Sequence, residues 1–281
     1  SPPASNKPIA VLIQGLADDP VRTIVVSSDD IQRSGARTLV DVLGQQTGIQ
    51  LIDASGSPNR QIDLRGFGMS GDQNTLILLN GQRITENELA SADLASIPLD
   101  SVERIEILRG SGAVLYGRGA TGGTINIITK GSATAGTSGK LGVTAGSFNS
   151  RGVAGSASLA SGLVGFTVFA DKNQTDNYRV NNRLNQENLT TELTYRGENG
   201  PVSLRYSTGR QELRLPGERT ETQLITDRRG ATTPNNYADL TSSRLALSTE
   251  QKMAFGSLAI DVARRERESV SYFDYGGGFY S

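Results

Sequence analysis

Beyond residue 139 one pattern dominates the chain: apolar and polar residues alternate through successive stretches of about ten residues. In Val202-Ser203-Leu204-Arg205-Tyr206-Ser207, one face is Val, Leu and Tyr and the other is Ser, Arg and Ser. Leu189, Thr191, Leu193 and Tyr195 alternate with Thr190, Glu192, Thr194 and Arg196. Leu258, Ile260 and Val262 alternate with Ala259, Asp261 and Ala263, and Val153, Gly155, Ala157 and Leu159 with Gly152, Ala154, Ser156 and Ser158. Successive side chains of a strand point to opposite faces, so each stretch reads as a strand with one greasy and one polar side. Two folds satisfy this. A soluble sandwich turns the greasy side inward, and a membrane barrel turns it toward lipid. Period alone does not separate them.

The connections favour the barrel. Those near Asn149-Ser150 and Ser161-Gly162 are tight, whereas 172–187 and 211–240 are long and rich in Asn, Arg and Thr. Short turns at one end and long loops at the other are the asymmetry of outer-membrane barrels. No apolar run is long enough for a membrane helix. A membrane protein without such helices is left with a closed barrel, because only that satisfies every backbone polar group in lipid. Roughly seven or eight strands are expected here, and a closed barrel of that size has no room for a globular domain inside it.

Before Gly131 the text changes. Ile24–Val26 reads as a strand, Ser28-Asp29-Asp30 as the start of a short helix ending near Gly35, and Thr38 as the cap of a helix carrying Leu39, Val40, Val42 and Leu43. Ile49–Ile52, Gln61–Leu64, Thr75–Leu79, Val102–Leu108 and Thr124–Thr129 read as strands, with Asn80-Gly81 as a two-residue hairpin turn. The expected organisation is an N-terminal extension over 1–23, a compact α+β domain with a small mixed sheet over 24–130, a Gly/Ser/Thr-rich linker over 131–139, and antiparallel strands over 140–281. Ser1-Pro2-Pro3 lacks a basic start and apolar run, so a signal peptide is expected to be absent or already removed.

Composition removes several function classes. The chain has no Cys, no His and no Trp. It therefore has no disulfide framework, no thiolate metal site and no Ser-His-Asp triad. A net charge of -1 argues against nucleic-acid binding, which needs a basic face. Gly66-Phe-Gly68-Met-Ser-Gly71 and Gly117-Arg-Gly119-Ala-Thr-Gly122 match the dinucleotide fingerprint by spacing, but each precedes a strand and not the helix N-terminus that a phosphate needs. Glu103 and Glu106 are interleaved with Arg104 and Arg109, which reads as a structural ion network. Arg264-Arg265-Glu266-Arg267-Glu268 reads as a solvated barrel face or rim.

Three motifs then carry a resemblance. Ser101-Val-Glu-Arg-Ile-Glu-Ile-Leu-Arg-Gly110, Leu115-Tyr-Gly117 and Gly122-Gly-Thr-Ile-Asn-Ile-Ile-Thr-Lys130 resemble the closing signature of TonB-dependent receptor plug domains. Ile62-Asp-Leu-Arg-Gly-Phe-Gly68, Leu78-Leu-Asn-Gly-Gln-Arg83 and Leu39-Val-Asp-Val-Leu43 through Thr47-Gly-Ile49 resemble earlier family segments, in the same order and spacing. Ser111 departs from the family, which often has Pro there, and no clear TonB box precedes residue 24, although Ile9–Ile13 offers a short strand for β-addition.

The resemblance implies a plug inside a transmembrane β-barrel of about 22 strands, so the chain is expected to be a truncated part of a longer receptor in the Gram-negative outer membrane. It implies import of a chelated nutrient such as a ferric siderophore, powered by TonB in the inner membrane, with no chemistry on the cargo. No cofactor is implied, since a siderophore brings its own iron ligands. Family position puts ligand-facing loops at Ala54–Arg60, Met69–Gln73 and Thr85–Ser91, with Arg60, Ser70, Asp72, Gln73 and Glu88 as candidate contacts. Arg65 and Arg109 match positions that lock the plug to barrel glutamates. Other cargoes of the same architecture are haem, which the lack of His disfavours, cobalamin, pyrroloquinoline quinone and a glycan. A signalling or adhesion protein using the plug as a binding module is the alternative of another class.

Overall fold

The computed structural model describes residues 23–36, 38–52, 61–64, 74–84, 93–109, 122–131 and 136–274. The first part is an α+β unit. Strand β1 (Thr23–Ser27) leads into helix α1 (Ser28–Arg33), and helix α2 (Leu39–Gly44) precedes the hairpin of β2 (Gln50–Ile52) and β3 (Gln61–Asp63). Both helices start at capping boxes. Ser27 accepts from the Asp30 N–H and Thr38 from the Asp41 N–H, while each Asp reaches back to the cap. The cap of α1 is therefore Ser27, one residue before the expected start.

Strands β4 (Thr75–Leu79), β5 (Gln82–Arg83), β6 (Val102–Arg109) and β7 (Gly123–Thr129) join β1 in a five-stranded mixed sheet ordered β1-β6-β7-β4-β5. Asn80 and Gly81 turn the β4–β5 hairpin with φ of 51° and 80°, as a turn with two left-handed residues requires. Ile77, Leu79, Ile105, Ile107, Ile125 and Ile127 pack on Leu39, Val40, Val42 and Leu43 of α2. Leucines and β-branched residues from helix and sheet together fill one layered core. Gly123 is forced by this packing: a Cβ there would lie 2.5 Å from the Leu108 carbonyl.

The second part is a seven-stranded antiparallel meander: β8 (Gly136–Gly146), β9 (Ser150–Ser161), β10 (Val164–Thr175), β11 (Leu184–Gly197), β12 (Gly200–Arg214), β13 (Tyr237–Met253) and β14 (Gly256–Tyr272). Its first strand begins at Gly136, inside the stretch expected to be a linker, because ladder pairing with β9 reaches back to Gly136↔Ala160. Strand length grows from 11 residues in β8 to 17 in β14. The strands also run into both segments expected as long loops, which shrink to 176–183 and 215–236; the latter carries helix α3 (Glu221–Thr226). The turn at 147–149 lies at the same end as these loops, so it does not contribute to the asymmetry. The two-residue turns at 162–163, 198–199 and 254–255 do.

The faces of this sheet decide between sandwich and barrel. Leu159, Phe166, Leu193, Leu204, Leu247 and Val262 form one cross-strand row, and all are 40–60% exposed. The adjacent row, Ser158, Thr167, Glu192, Arg205, Ala246 and Ala263, points the other way, and Thr167 and Glu192 are buried. Polar residues are inside and apolar residues outside, the inverse of a soluble sandwich and the arrangement of a barrel wall in lipid.

Candidate functional site

The buried polar face of the wall receives the α+β unit. The single turn Leu94–Ser96 is the main point of attachment. The Ala95 carbonyl accepts from Asn188 Nδ2 at 2.9 Å and from Gln186 Nε2, so β11 holds it with two amides. Asp93 accepts from Gln211 Nε2 at 3.0 Å and from Ser242 Oγ at 2.8 Å, which adds β12 and β13. Gly209 lets the turn approach: a Cβ at that position would sit 3.0 Å from Ser96 Cβ.

A second contact is charged. Arg205 on β12 is bound to Glu192 on β11, with Nε donating to Oε2 at 2.8 Å, and both side chains are about nine-tenths buried. The same guanidinium donates to Thr129 Oγ1 at the end of β7. Thr129 and Asn80 are themselves hydrogen-bonded, 2.9 Å from Thr129 N to Asn80 Oδ1, so the β4–β5 hairpin is linked to the wall through one residue. Farther along, Arg244 donates to Gln82 Oε1 and Arg265 Nη1 to the Ile84 carbonyl at 3.0 Å. Lys140 on β8 closes the seam with a 2.9 Å ion pair to Asp100. A cavity of about 60 Å³ remains between unit and wall, with Asp93, Thr129, Arg205, Ser242, Arg244 and Arg265 in its lining.

Of the residues expected to act, only Arg109 lies among the described ones. Its Nε and Nη2 are buried without a hydrogen-bond partner, and its guanidinium lies against Gly48, where a Cβ would come within 3.0 Å. It takes no part in the network of Arg104 with Glu103 (2.9 Å) and Glu106 (2.8 Å), which is structural, as expected. Arg60, Arg65, Ser70, Asp72, Gln73 and Glu88 lie outside the described residues. So do Ile9–Ile13 and most of the two glycine motifs, but the elements that follow those motifs, β4 and β7, are strands. Sequence reading placed Glu192 and Arg205 only on a polar face. Opposite charges facing inward on neighbouring strands were the signal that they pair.

At the long-loop end, 176–183 and 215–236 are pinned together. The Arg179 guanidinium donates to the carbonyls of Pro216 (3.2 Å), Gly217 (2.7 Å) and Gly230 (3.1 Å), and Asn181 Nδ2 to those of Leu215 (3.1 Å), Thr233 (2.8 Å) and Asn236 (3.0 Å). Burial and the nearby Arg219 hold the Arg179 pKa below its usual value.

With this geometry in place, comparison with known proteins is informative. Residues 16–124 match the family model of the TonB-dependent receptor plug domain. The vitamin B12 transporter BtuB of Photobacterium profundum is 33% identical over 130 residues, 44% of this chain and 21% of that protein. The ferric enterobactin receptor of Pseudomonas aeruginosa is 36% identical over 122 residues, 38% of this chain and 16% of that protein. Among solved structures, the unliganded ferric citrate transporter FecA superposes with a TM-score of 0.78 at 18% identity, covering 90% of this chain and 41% of that one. The siderophore receptor PirA from Pseudomonas aeruginosa gives 0.67 at 22% identity, covering 89% and 41%. The matches thus span about a fifth of the curated relatives' length and two fifths of the solved neighbours'. Plug, inverted wall and polar seam agree with them: residues 16–124 match the plug domain of TonB-dependent receptors, and the seven-stranded wall has the fold of the first strands of such a receptor's β-barrel.

Proposed function

We propose that this chain is part of an outer-membrane receptor that imports a ferric siderophore in a TonB-driven cycle, without chemistry on its cargo. The observation that carries this reading is the way the plug is held: by a few polar contacts on a wall whose apolar face is turned outward. Hydrogen bonds across a polar seam exchange readily for water, so the plug can part from the wall without exposing an apolar core. Cargo meets the plug loops around Arg60, Ser70, Asp72, Gln73 and Glu88, and TonB acts on the segment before β1.

Arg65 and Arg109 serve as plug–barrel locks. The Nε and Nη2 of Arg109, buried without a hydrogen-bond partner, support this role, because a buried charge calls for a carboxylate partner. Cobalamin is the second reading, favoured by the likeness to a vitamin B12 transporter. Growth of a strain deleted for the receptor, on a panel of ferric chelates and cobalamin, tests both. Loss of growth on one ferric chelate supports the first reading, loss on cobalamin alone supports the second, and growth on all of them rejects import.

A further inference from the structure

The pleat of β14 sorts the charged run Arg264–Glu268. Arg264, Glu266 and Glu268 face outward, and Arg265 and Arg267 face the plug. Arg265 stands directly opposite Arg244 on β13, and Arg205 of β12 lies in the next inward row. Ala246 and Ala263 complete that row, and their methyl groups leave room beside the guanidinium groups. All four arginines line the cavity between plug and wall, where Asp93 is the one carboxylate among the described lining residues. Glu192 neutralises Arg205, which leaves Arg244, Arg265 and Arg267 against Asp93. Like charges directly opposite on neighbouring strands repel. Arg244 is half-buried and makes no ion pair among the described residues. Its acceptor is the neutral Gln82 Oε1, and Gln82 Nε2 in turn donates to Asp261 Oδ1 at 3.3 Å, so Arg244 is linked to that carboxylate only through an amide.

We propose that this cavity binds a small oxyanion of the phosphate type between Arg244 and Arg265, and that the bound anion helps to seat the plug. A guanidinium presents its donors in a fixed planar fork, which suits paired oxygens of an oxyanion. The cavity, about 60 Å³, has room for about four water-sized atoms, as many as the oxygens of a tetrahedral oxyanion. An anion there relieves the repulsion between the two opposed arginines. The same two arginines hold the plug, Arg244 through Gln82 Oε1 and Arg265 through the Ile84 carbonyl at 3.0 Å. Steadied from within the cavity, they keep those contacts at lower cost. An anion that binds only the assembled seam stabilises the seated plug by mass action. Its binding does not depend on the import reading, since no cargo takes part in the site.

The test titrates the cargo-free, full-length receptor in detergent with inorganic phosphate at constant ionic strength, with chloride as the comparator. It reads the heat of binding and the proteolysis of the plug. Wild type is expected to bind phosphate saturably, and its plug to resist protease longer as the site fills. Arg244→Gln is expected to bind about tenfold more weakly, and Arg151→Gln, on the outward face, to bind as wild type does. No saturable binding, equal binding by Arg244→Gln, an equal loss in Arg151→Gln, or protection by chloride as strong as by phosphate overturns the site. Binding that leaves proteolysis unchanged overturns its seating role. If Arg244→Gln lacks the heat-resistant gel migration of a folded barrel, Arg244→Lys decides, because it keeps the charge and loses the fork. Weaker phosphate binding by that variant supports the site, and unchanged binding overturns it.

Discussion

The two sheets of this chain are built from similar strands and face opposite solvents. In the plug, Ile105, Ile107, Ile125 and Ile127 point inward and have no measurable exposure. In the wall, Leu193, Leu204 and Leu247 point outward, while Thr190, Glu192 and Thr194 are buried. Alternation fixes that a strand has two faces, and only the surroundings fix which face is the inside. In the plug the surroundings are a helix, and in the wall they are a neighbouring domain on the polar side, which leaves the apolar side facing outward.

The sharpest way to break that comparison is truncation in the plug. Ile105→Ala removes a fully buried side chain between sheet and helix and is expected to cost the plug about 4 kcal/mol, read as faster proteolysis of the plug in the intact receptor. Leu204→Ala on the outward row should leave that protection unchanged. A matching loss there would mean the wall has a second, apolar packing partner.

Glu192→Gln tests the polar side of the comparison. It leaves the Arg205 guanidinium buried against Thr129 without its carboxylate, at a cost of about 3 kcal/mol. Denaturation monitored at the plug should register it, and Glu192→Gln/Arg205→Met should recover part of the loss. No recovery in the double variant would show that the two charges do not act as a pair.

Leu204→Arg probes the outward row directly, because a cation facing the middle of a bilayer costs about 2 kcal/mol or more. Refolding into lipid vesicles should show that penalty, and refolding in detergent micelles should show less. Equal penalties in both would argue against lipid contact.

The smallest effect lies in the capping box of α1. Hydrogen bonds from Ser27, then from Arg33, lower the Asp30 pKa from 3.8 to about 2. A depressed carboxyl pKa contributes stability that is fully present above 3.8 and lost as pH falls through about 2. The protection of the α1 amides, taken relative to the intrinsic exchange rate at each pH, should therefore be level from neutral pH to about 4 and fall below it. A level profile in α1 down to pH 2 would remove the cap from the account.

Much of this was legible in the sequence. The capped helices, the Asn80-Gly81 hairpin and the plug strands follow from local chemistry, because capping boxes and turns with left-handed residues are specified within four residues. Period-two alternation placed the wall strands. It understated their length, since Lys172–Thr175 is polar on both faces and Gln211–Arg214 is polar but for Leu213, so both read as loop until a neighbouring strand pairs with them. The seam was the least legible part. Asp93, Ala95 and Ser96 lie far along the chain from Gln186, Asn188, Gln211 and Ser242, and polar residues on a strand look alike whether they face water or a plug. The charged run beginning at Arg264 shows the same limit. Pleating sends Arg264 and Glu266 outward and Arg265 inward to the Ile84 carbonyl, a split that becomes visible only once register is known.

The stapling of the two long connections by Arg179 and Asn181 has one further consequence. Six backbone carbonyls from one segment are claimed by two side chains of the other, so neither segment can shift alone without stranding several acceptors. The conformational entropy of this part of the mouth is lost when the chain folds and not when a molecule arrives. On the proposed import reading, a cargo reaching this flank meets a finished contour, and discrimination there rests on fit to a standing shape rather than on closure around a guest.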